Sequence, residues 1–351
     1  SWKKNIIYLL LIIFSTFLNA NEKVVLQLKW FHQFQFAGYY AAKEKGFYDE
    51  VGLDVEIKQR DLKYNNIDEV INGNAQYGVA DSILILYRLK QQPVVIVSPI
   101  FQHSPSVFIS LKKKNISSIY ELNNKDILFY PNDTDGFSLL AMIKKFDLDV
   151  NLIRERYKDD YMRLINNEVD VMPAYIANEP FLLKEKGYDV NIINPNNYGF
   201  DIYGDMLFTN EDEAKNYPIR VEKFKKATLK GWKYALENKE EIIQLISEKY
   251  SKEKSIEHLR YEANAIDSLI NKDVTPLGYL DQGRIRYISE MYQYYGLTES
   301  TIDLKDFLFD EIPSRAEKEE VVIQEEPADM PDAEIKLQVS ETDEKDLPLP
   351  S

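Results

Sequence analysis

The sequence predicts an α/β fold of two lobes joined by two extended crossovers. Strand and helix patterns alternate from Glu22 to Val97, and a second alternating set runs from residue 126 to residue 194, as in open α/β sheets. Two extended stretches, 100–110 and 197–210, follow these sets. We expect lobe 1 to comprise residues 21–105 and 206–310, and lobe 2 residues 106–205. Two lobes with two crossovers are typical of a hinged binding protein that closes on a ligand.

The first alternating set predicts a mostly parallel sheet, because each strand is followed by a helix and then by another strand. Its predicted strands are 24–30, 53–59, 75–80 and 93–99, and its predicted helices are 37–48, 66–73 and 82–91.

The second set has the same rhythm, and a helical region follows it. Its predicted strands are 126–130, 150–154, 169–175 and 188–194, with helices at 135–146, 159–166 and 179–187. After the second crossover, apolar periodicity predicts helices at 221–238, 239–250, 255–270 and 282–296.

Both ends of the chain differ from this pattern. Lys3 and Lys4 precede an apolar run from Ile6 to Leu18, which predicts a signal peptide over residues 1–20 that is cleaved after Ala20, and export to the periplasm. An uncleaved anchor is the alternative. Residues 311–351 carry thirteen acidic and four basic side chains with several prolines, which predicts an acidic disordered tail.

Composition excludes several classes of function. A net charge of −15 argues against nucleic-acid binding. The chain has no cysteine, which excludes disulfides and thiolate chemistry. It carries no nucleophile-elbow, zinc-protease, P-loop or dinucleotide fingerprint, and its three histidines are far apart in sequence. We expect a monomeric binding protein without metal or cofactor, rather than an enzyme.

Residues 26–40, LQLKWFHQFQFAGYY, predict the centre of the binding site. A strand here ends in aromatic and amide side chains before a helix begins, and open α/β sheets bind ligands at that edge. The alternative is that the aromatic residues belong to the core. The candidate contacts in this stretch are Trp30, His32, Phe34 and Tyr39.

Polar residues at four other strand ends or crossovers are further candidates. The alternatives are a helix N-cap for the pair at 81–82, a first-turn helix charge for Glu179, hinge residues for those at 103–104, and turn residues for those at 201–205. The two carboxylates near residue 203 suggest a neutral or cationic ligand with donors. These candidates are Asp81, Ser82, His103, Ser104, Tyr175, Asn178, Glu179, Asp201, Tyr203 and Asp205.

The ordered motifs KWFHQFQFAGYYAAKEKGFYDEVGLDVEI, GVADS, IFQHSP, AYIANEPFLL, DIYGDMLFT and LKGWKYAL resemble the family of bacterial thiamine-pyrimidine binding proteins and fungal thiamine-pyrimidine synthases. The resemblance implies a type II periplasmic binding protein fold and a thiamine-precursor aminopyrimidine as ligand, with Glu179 accepting its hydrogen bonds. It also implies an ABC permease as partner, or alternatively a membrane kinase or cyclase that reads the ligand. The synthase of this family depends on a cysteine-rich iron site, which a chain without cysteine does not provide.

Overall fold

A computed structural model describes residues 20–129, 134–154, 160–296, 298 and 304–311. The predicted signal peptide up to residue 19 and the predicted tail from residue 312 lie outside the described residues. The described residues belong to one compact unit, built around a large and a small β-sheet.

The large sheet has five strands in the order β2-β1-β3-β10-β4. Strands β2, β1 and β3 are parallel to one another, whereas β10 runs antiparallel between β3 and β4. Alternating burial along the edge strand β2 matches a strand with one covered face. The strands are β1 (Glu22–Gln27), β2 (Leu53–Lys58), β3 (Tyr77–Ala80), β4 (Val94–Pro99) and β10 (Met206–Asn210).

The small sheet repeats this arrangement. Its strands β8-β5-β9 are antiparallel to their neighbours, and the parallel pair β6-β7 joins β8 through a bridge between Ile127 and Val171. The combined order is β7-β6-β8-β5-β9, in which β5 takes the place that β10 has in the large sheet. The strands are β5 (Ser106–Leu111), β6 (Asp126–Leu128), β7 (Asn151–Ile153), β8 (Met172–Tyr175) and β9 (Val190–Ile193).

Helices cover both sheets, and several begin at a capping side chain. Asn65, Ser255 and Asp281 each accept hydrogen bonds from backbone N–H groups in the first turn of the following helix. The helices are α1 (Ala37–Glu44), α2 (Phe47–Glu50), α3 (Asn66–Ile71), α4 (Ile83–Leu89), α5 (Thr134–Lys145), α6 (Tyr161–Ile165), α7 (Glu179–Glu185), α8 (Glu211–Asn216), α9 (Pro218–Glu237), α10 (Lys239–Lys249), α11 (Ile256–Ile270) and α12 (Gln282–Tyr294).

The predicted strands and helices are confirmed in kind and order, with ends that shift by a few residues. One prediction is wrong in part. The parallel pairing holds for β2, β1 and β3 of the large sheet, but each of the crossovers contributes a strand that pairs antiparallel with both neighbours. The reason is geometric: a chain that returns from the other sheet enters from the cleft edge, and therefore runs opposite to the strands that end there. The predicted lobe boundaries fall between the two sheets and stay a prediction.

Helices α1 and α9 pack at van der Waals distance because glycines meet at their crossing. A Cβ atom placed on Gly231 would lie 2.1 Å from the Gly38 carbonyl oxygen, and one on Gly38 would overlap the Trp232 ring. Trp232 is fully buried, so its ring belongs to the core at this crossing. This crossing fixes α1, and with it the loop before α1, against the large sheet.

The apolar residues of the described part of the chain form three clusters. One lies on one face of the large sheet under α1, α9, α10 and α11. The second lies on the opposite face and continues through Phe200 and Ile202 to residues of the small sheet and α12. The third lies on the remaining face of the small sheet. Within the residues described, no helix is both long and apolar enough to cross a membrane.

Candidate functional site

A lysine ammonium lies between the two sheets, where their cleft-facing edges meet. Lys29 follows β1, and its Nζ donates to Asp81 Oδ2 at 2.7 Å and to Asp205 Oδ1 at 3.2 Å. It also donates to the Tyr175 hydroxyl, at the end of β8, at 2.6 Å. Gln35 completes the group, with its Nε2 donating to Asp205 Oδ2 at 2.7 Å. We call these five residues the Lys29 cluster.

The charges of the Lys29 cluster are nearly removed from water. The side chain of Lys29 is 13% exposed and that of Asp205 is 2% exposed. Burial lowers the pKa of Lys29, but Asp205 and Asp81 outweigh burial and hold that pKa well above its usual value. Burial raises the pKa of Asp205 even though Lys29 opposes the shift. The ammonium is therefore held charged, and it joins the two sheets.

A second lysine, Lys254, makes a similar connection. It lies just before α11 in the sequence. Lys254 Nζ donates to Gln33 Oε1 at 3.0 Å and to Asn178 Oδ1 at 3.1 Å, and it pairs with Glu262. Glu262 is 1% exposed and also accepts from the Phe34 backbone N–H at 3.0 Å. We call Lys254, Gln33, Asn178 and Glu262 the Lys254 cluster. It fixes the loop between β1 and α1, and extends to the residue before α7.

Four consecutive residues at the end of β8, Tyr175 to Asn178, receive contacts from side chains that pack on the large sheet. Lys29 reaches the Tyr175 hydroxyl, and the Tyr261 hydroxyl donates to the Ile176 carbonyl at 2.9 Å. The His258 ring bonds to the Ala177 backbone, and Lys254 reaches Asn178. We call residues 175–178 the contact strip. It carries the polar connection between the sheets on this side of the cleft.

Glu179 follows the contact strip and directs its carboxylate back to it. Its Oε2 accepts from the Tyr175 N–H at 2.8 Å, and its Oε1 accepts from Asn178 Nδ2 at 3.3 Å. Burial raises the pKa of Glu179, while the backbone hydrogen bond from Tyr175 opposes that shift. Both oxygens thus hold the start of α7, so the ligand contact expected for Glu179 stays a prediction that would require one oxygen to be shared.

The aromatic candidates before α1 divide between the protein surface and the core. Trp30 is partly exposed, with its ring centroid 5.0 Å from that of Phe31. His32 bonds through Nδ1 to the Tyr40 hydroxyl at 2.8 Å and packs on Tyr250. Phe34 and Tyr39 are buried in the cluster under α1. Of these residues, Trp30 is partly exposed and is the direct neighbour of Lys29 in the sequence.

The candidates on the crossovers form a separate group. His103 Nδ1 lies 2.7 Å from Asp201 Oδ1, which joins one crossover to the other. Arg284 of α12 donates to the Asp201 carboxylate and carbonyl at 3.1 Å and to the Gln102 carbonyl, and it lies over the Tyr203 ring at 4.1 Å. We call His103, Asp201, Tyr203 and Arg284 the hinge cluster. These contacts join the two crossovers to α12, and ligand contact by His103, Asp201 and Tyr203 stays a prediction.

Two candidate serines also have backbone partners. Ser82 is fully buried, and its hydroxyl donates to the Tyr203 carbonyl at 2.8 Å. The Ser104 hydroxyl accepts from the Ser106 N–H at 3.2 Å, at the start of β5. Both side chains hold the crossovers against the strands they connect.

Sequence reasoning missed Lys29 and the large-sheet partners of the contact strip. The rule that selected Trp30 applies equally to Lys29, but a lysine at an alternate position of a strand pattern is ordinarily exposed to solvent. Glu262 carried a second signal, since it shares a helix face with Leu259, Ala263 and Ile266, which are all buried. A carboxylate on the apolar face of an amphipathic helix requires a partner. Lys254, in the loop before α11, is that partner.

The fold and the position of these clusters define a class of protein. Two α/β sheets whose order matches, joined by two crossovers with polar residues between them, form the two-lobed fold of type II periplasmic binding proteins. The solved structure of the periplasmic aliphatic sulphonate binding protein SsuA from Escherichia coli has this fold. It matches with a TM-score of 0.64 and 11% identity over 93% of this chain and 99% of that chain.

The chain belongs to the NMT1/THI5-like family, whose model matches residues 33–242. A riboflavin-binding protein, RibY, from Chloroflexus aurantiacus is 24% identical over 81% of this chain and 84% of its own length. A formylaminopyrimidine-binding protein from Halalkalibacterium halodurans is 25% identical over 65% of this chain and 70% of its own length. The family resemblance seen in the sequence is thereby confirmed.

Proposed function

We propose that this chain is an exported solute-binding protein that captures a small planar nitrogen heteroaromatic between its two lobes. A thiamine-precursor aminopyrimidine is the favoured ligand, and an ABC permease is the proposed recipient. The Lys29 cluster carries the proposal: it is a polar group buried between the sheets, and the next residue in the sequence, Trp30, has a partly exposed ring. Ligand sites of this fold class combine a few oriented polar groups with aromatic surface.

The names of two relatives support this class of ligand. Riboflavin and a formylaminopyrimidine both contain a flat ring system with nitrogen and oxygen acceptors. Both relatives are named as binding proteins, which supports binding without catalysis. The periplasmic location of the SsuA relative in fold supports an extracytoplasmic place for this chain.

The charges near the cleft favour a neutral or cationic ligand. Two ammonium groups, Lys29 and Lys254, are accompanied by the carboxyl groups of Asp81, Asp205, Glu179 and Glu262. When all are ionised, two negative charges are in excess. An anion such as a sulfonate would meet repulsion here that grows in a medium of low dielectric constant. The sulphonate-binding protein therefore supports the fold of this chain, but not a sulfonate as its ligand.

Calorimetry with a ligand panel tests the proposal. A formylaminopyrimidine or riboflavin should bind at least about a hundredfold more tightly than an aliphatic sulfonate or nitrate, which corresponds to about 3 kcal/mol. A sulfonate or nitrate that binds most tightly would contradict the proposed ligand class.

Replacement of the exposed ring gives a second test. Trp30→Ala should weaken every ring ligand by about two- to tenfold without changing their order, because stacking carries little specificity. Tyr120→Ala, at a side chain of the small-sheet region that is largely exposed, is the matched control and should leave the affinities unchanged.

A further inference from the structure

We infer that the ligand presents a hydrogen-bond acceptor to Lys29, at the place that the Tyr175 hydroxyl takes in the structure. The acceptor would be a carbonyl oxygen or a ring nitrogen of the heteroaromatic. This inference rests on the proposed function and specifies which atom type of the ligand the cleft would recognise.

All three N–H donors of the Lys29 ammonium have partners in the structure. An ammonium has three N–H donors and no acceptor, and Lys29 directs them to Asp81, Asp205 and Tyr175. Asp81 follows β3 and Asp205 precedes β10, so both belong to the large sheet, as Lys29 does. Tyr175 ends β8 of the small sheet. Separation of the sheets would therefore leave Lys29 with its two carboxylates and release one N–H.

The released donor is the group best prepared to meet a ligand. A charged donor without a partner inside a cleft is unfavourable, and an acceptor placed there gains a charge-assisted hydrogen bond. Lys29 stays where the two carboxylates hold it, so the direction of its third N–H is fixed before the ligand arrives. Such preorganisation lowers the cost of ordering the site on binding.

The carboxylates are less available than the ammonium. Asp205 accepts from Lys29 through one oxygen and from Gln35 through the other. Asp81 accepts from Lys29 through Oδ2 and from the Ile83 N–H, at the start of α4, through Oδ1. A ligand amine would have to share these oxygens with donors of the protein itself. A ligand acceptor would instead replace Tyr175, which leaves with the other sheet.

In this arrangement Tyr175 competes with the ligand for Lys29. Its hydroxyl accepts at 2.6 Å, and its ring lies 5.3 Å from the ammonium. The bond stabilises contact between the sheets directly, and ligand entry has to break it. Removing the hydroxyl should therefore favour the ligand, whereas removing the ammonium should disfavour it. These opposite signs distinguish the inference from a site in which both groups bind the ligand.

Two variants test it by calorimetry, with formylaminopyrimidine or riboflavin as probe, whichever binds the parent protein more tightly. Lys29→Met should weaken that probe by about ten- to a hundredfold, the loss expected for a charged hydrogen bond. Tyr175→Phe should tighten it by about two- to tenfold, because a competing neutral-to-charged bond is removed. Tyr294→Phe is the control, since that side chain is 82% exposed on α12, and it should match the parent.

A ligand variant completes the design. A phenyl analogue of the same shape, without ring nitrogens or carbonyl, should bind Lys29→Met as well as it binds the parent. A Lys29→Met loss that is equal for both ligands, or weaker binding of the probe by Tyr175→Phe, would overturn the inference. Should Lys29→Met fail to fold, the sign of the Tyr175→Phe change decides alone. Absence of binding of either planar probe to the parent would instead defeat the proposed function.

Discussion

Buried charge is the distinctive feature at the scale of single residues. Lys29 and Lys254 each hold oxygen atoms from both sides of the cleft. Ion pairs this deeply buried contribute little net stability, because the cost of desolvation offsets most of the attraction. Their effect is on geometry, since each requires its partners at fixed positions.

His258 should make the protein less stable in mild acid. Burial and the adjacent Lys254 lower the pKa of His258 to about 3, whereas its ordinary value is 6.5. The unfolded chain thus takes up a proton that the folded chain does not bind. The contribution of His258 to stability is fully present above pH 6.5 and is lost as the pH falls towards 3. From pH 7 to pH 5 the loss should be about 1–2 kcal/mol.

Urea unfolding of the parent and of His258→Phe at both pH values measures this effect. Phenylalanine keeps a ring against Phe181, whose centroid lies 4.5 Å from that of His258, and it does not titrate. The raised pKa values of Glu262 and Glu179 act in the opposite direction, because their contribution is lost as the pH rises. Both glutamates are present in the two proteins, so the difference isolates His258. An equal change in stability for parent and variant would refute the prediction.

The sequence could identify some residues of the candidate site, but not which of them become neighbours. Asp81 was predictable because strand ends at a sheet edge attract functional groups, and Asp205 because it is one of two carboxylates on the second crossover. The structure brings both to Lys29. His103 and Asp201 were selected by similar reasoning, yet they bond to each other and to Arg284. Which polar residues become neighbours depends on how the two sheets face each other, and no local pattern carries that information.

At the scale of elements, the α1–α9 crossing leaves no room for a methyl group. Gly231→Ala should lower the free energy of unfolding by about 1–3 kcal/mol, because the added Cβ would meet the Gly38 backbone and force the helices apart. Gly283→Ala is the matched control in a helix, since its Cβ would meet the Asp281 carboxylate at 3.1 Å and no backbone atom. Thermal or urea unfolding of both variants measures the difference. Equal stability for the two would contradict the proposed crowding.

The contact strip predicts which element governs closure. Tyr261→Phe removes the donor to the Ile176 carbonyl while keeping the ring, and should shift the population towards an open arrangement of the lobes. A neutral hydrogen bond is worth about 0.5–1.5 kcal/mol, so the closed-to-open ratio should fall by about two- to tenfold. Small-angle scattering should report a larger radius of gyration than for the parent.

Tyr287→Phe is the control for that measurement, because this hydroxyl lies on α12 and the side chain is more than half exposed. At ligand saturation, Tyr261→Phe and the parent should have the same radius as each other, since added ligand contacts shift both populations to the ligand-bound arrangement. A Tyr261→Phe radius equal to that of the parent without ligand would show that the contact strip does not control closure.

Alternation of strands and helices was sufficient to predict the order of the elements. The antiparallel strands β5 and β10 were not predicted as members of their sheets, because each lies at the end of a segment interpreted as a crossover. Their sequences, SVFISL and MLFTN, are short apolar runs. Such a run is compatible with an extended linker and with a central strand, so the sequence pattern does not distinguish the two.

At the scale of the whole molecule, Arg284 connects both crossovers to α12. Arg284→Met would leave the Gln102 and Asp201 carbonyls and the Asp201 carboxylate without this donor. The free energy of unfolding should fall by about 1–3 kcal/mol. Arg286→Met, two residues along the same helix at an exposed position, is the control and should change it by less than about 0.5 kcal/mol. Urea unfolding measures the stability of both variants. Equal stability of the two would show that Arg284 does not hold the crossovers to α12.

The position of β10 has a consequence for how the chain acquires its structure. Strand β4 ends at Pro99, but its sheet neighbour β10 begins only at Met206, and the Ile96 N–H bonds to the carbonyl of Phe307. During synthesis, more than a hundred residues have to be added after β4 before β10 is made and the large sheet can be completed. Loop closure over such separations slows folding. The small sheet, whose strands all lie between Ser106 and Ile193, can therefore be completed during synthesis before the large sheet, which needs β10.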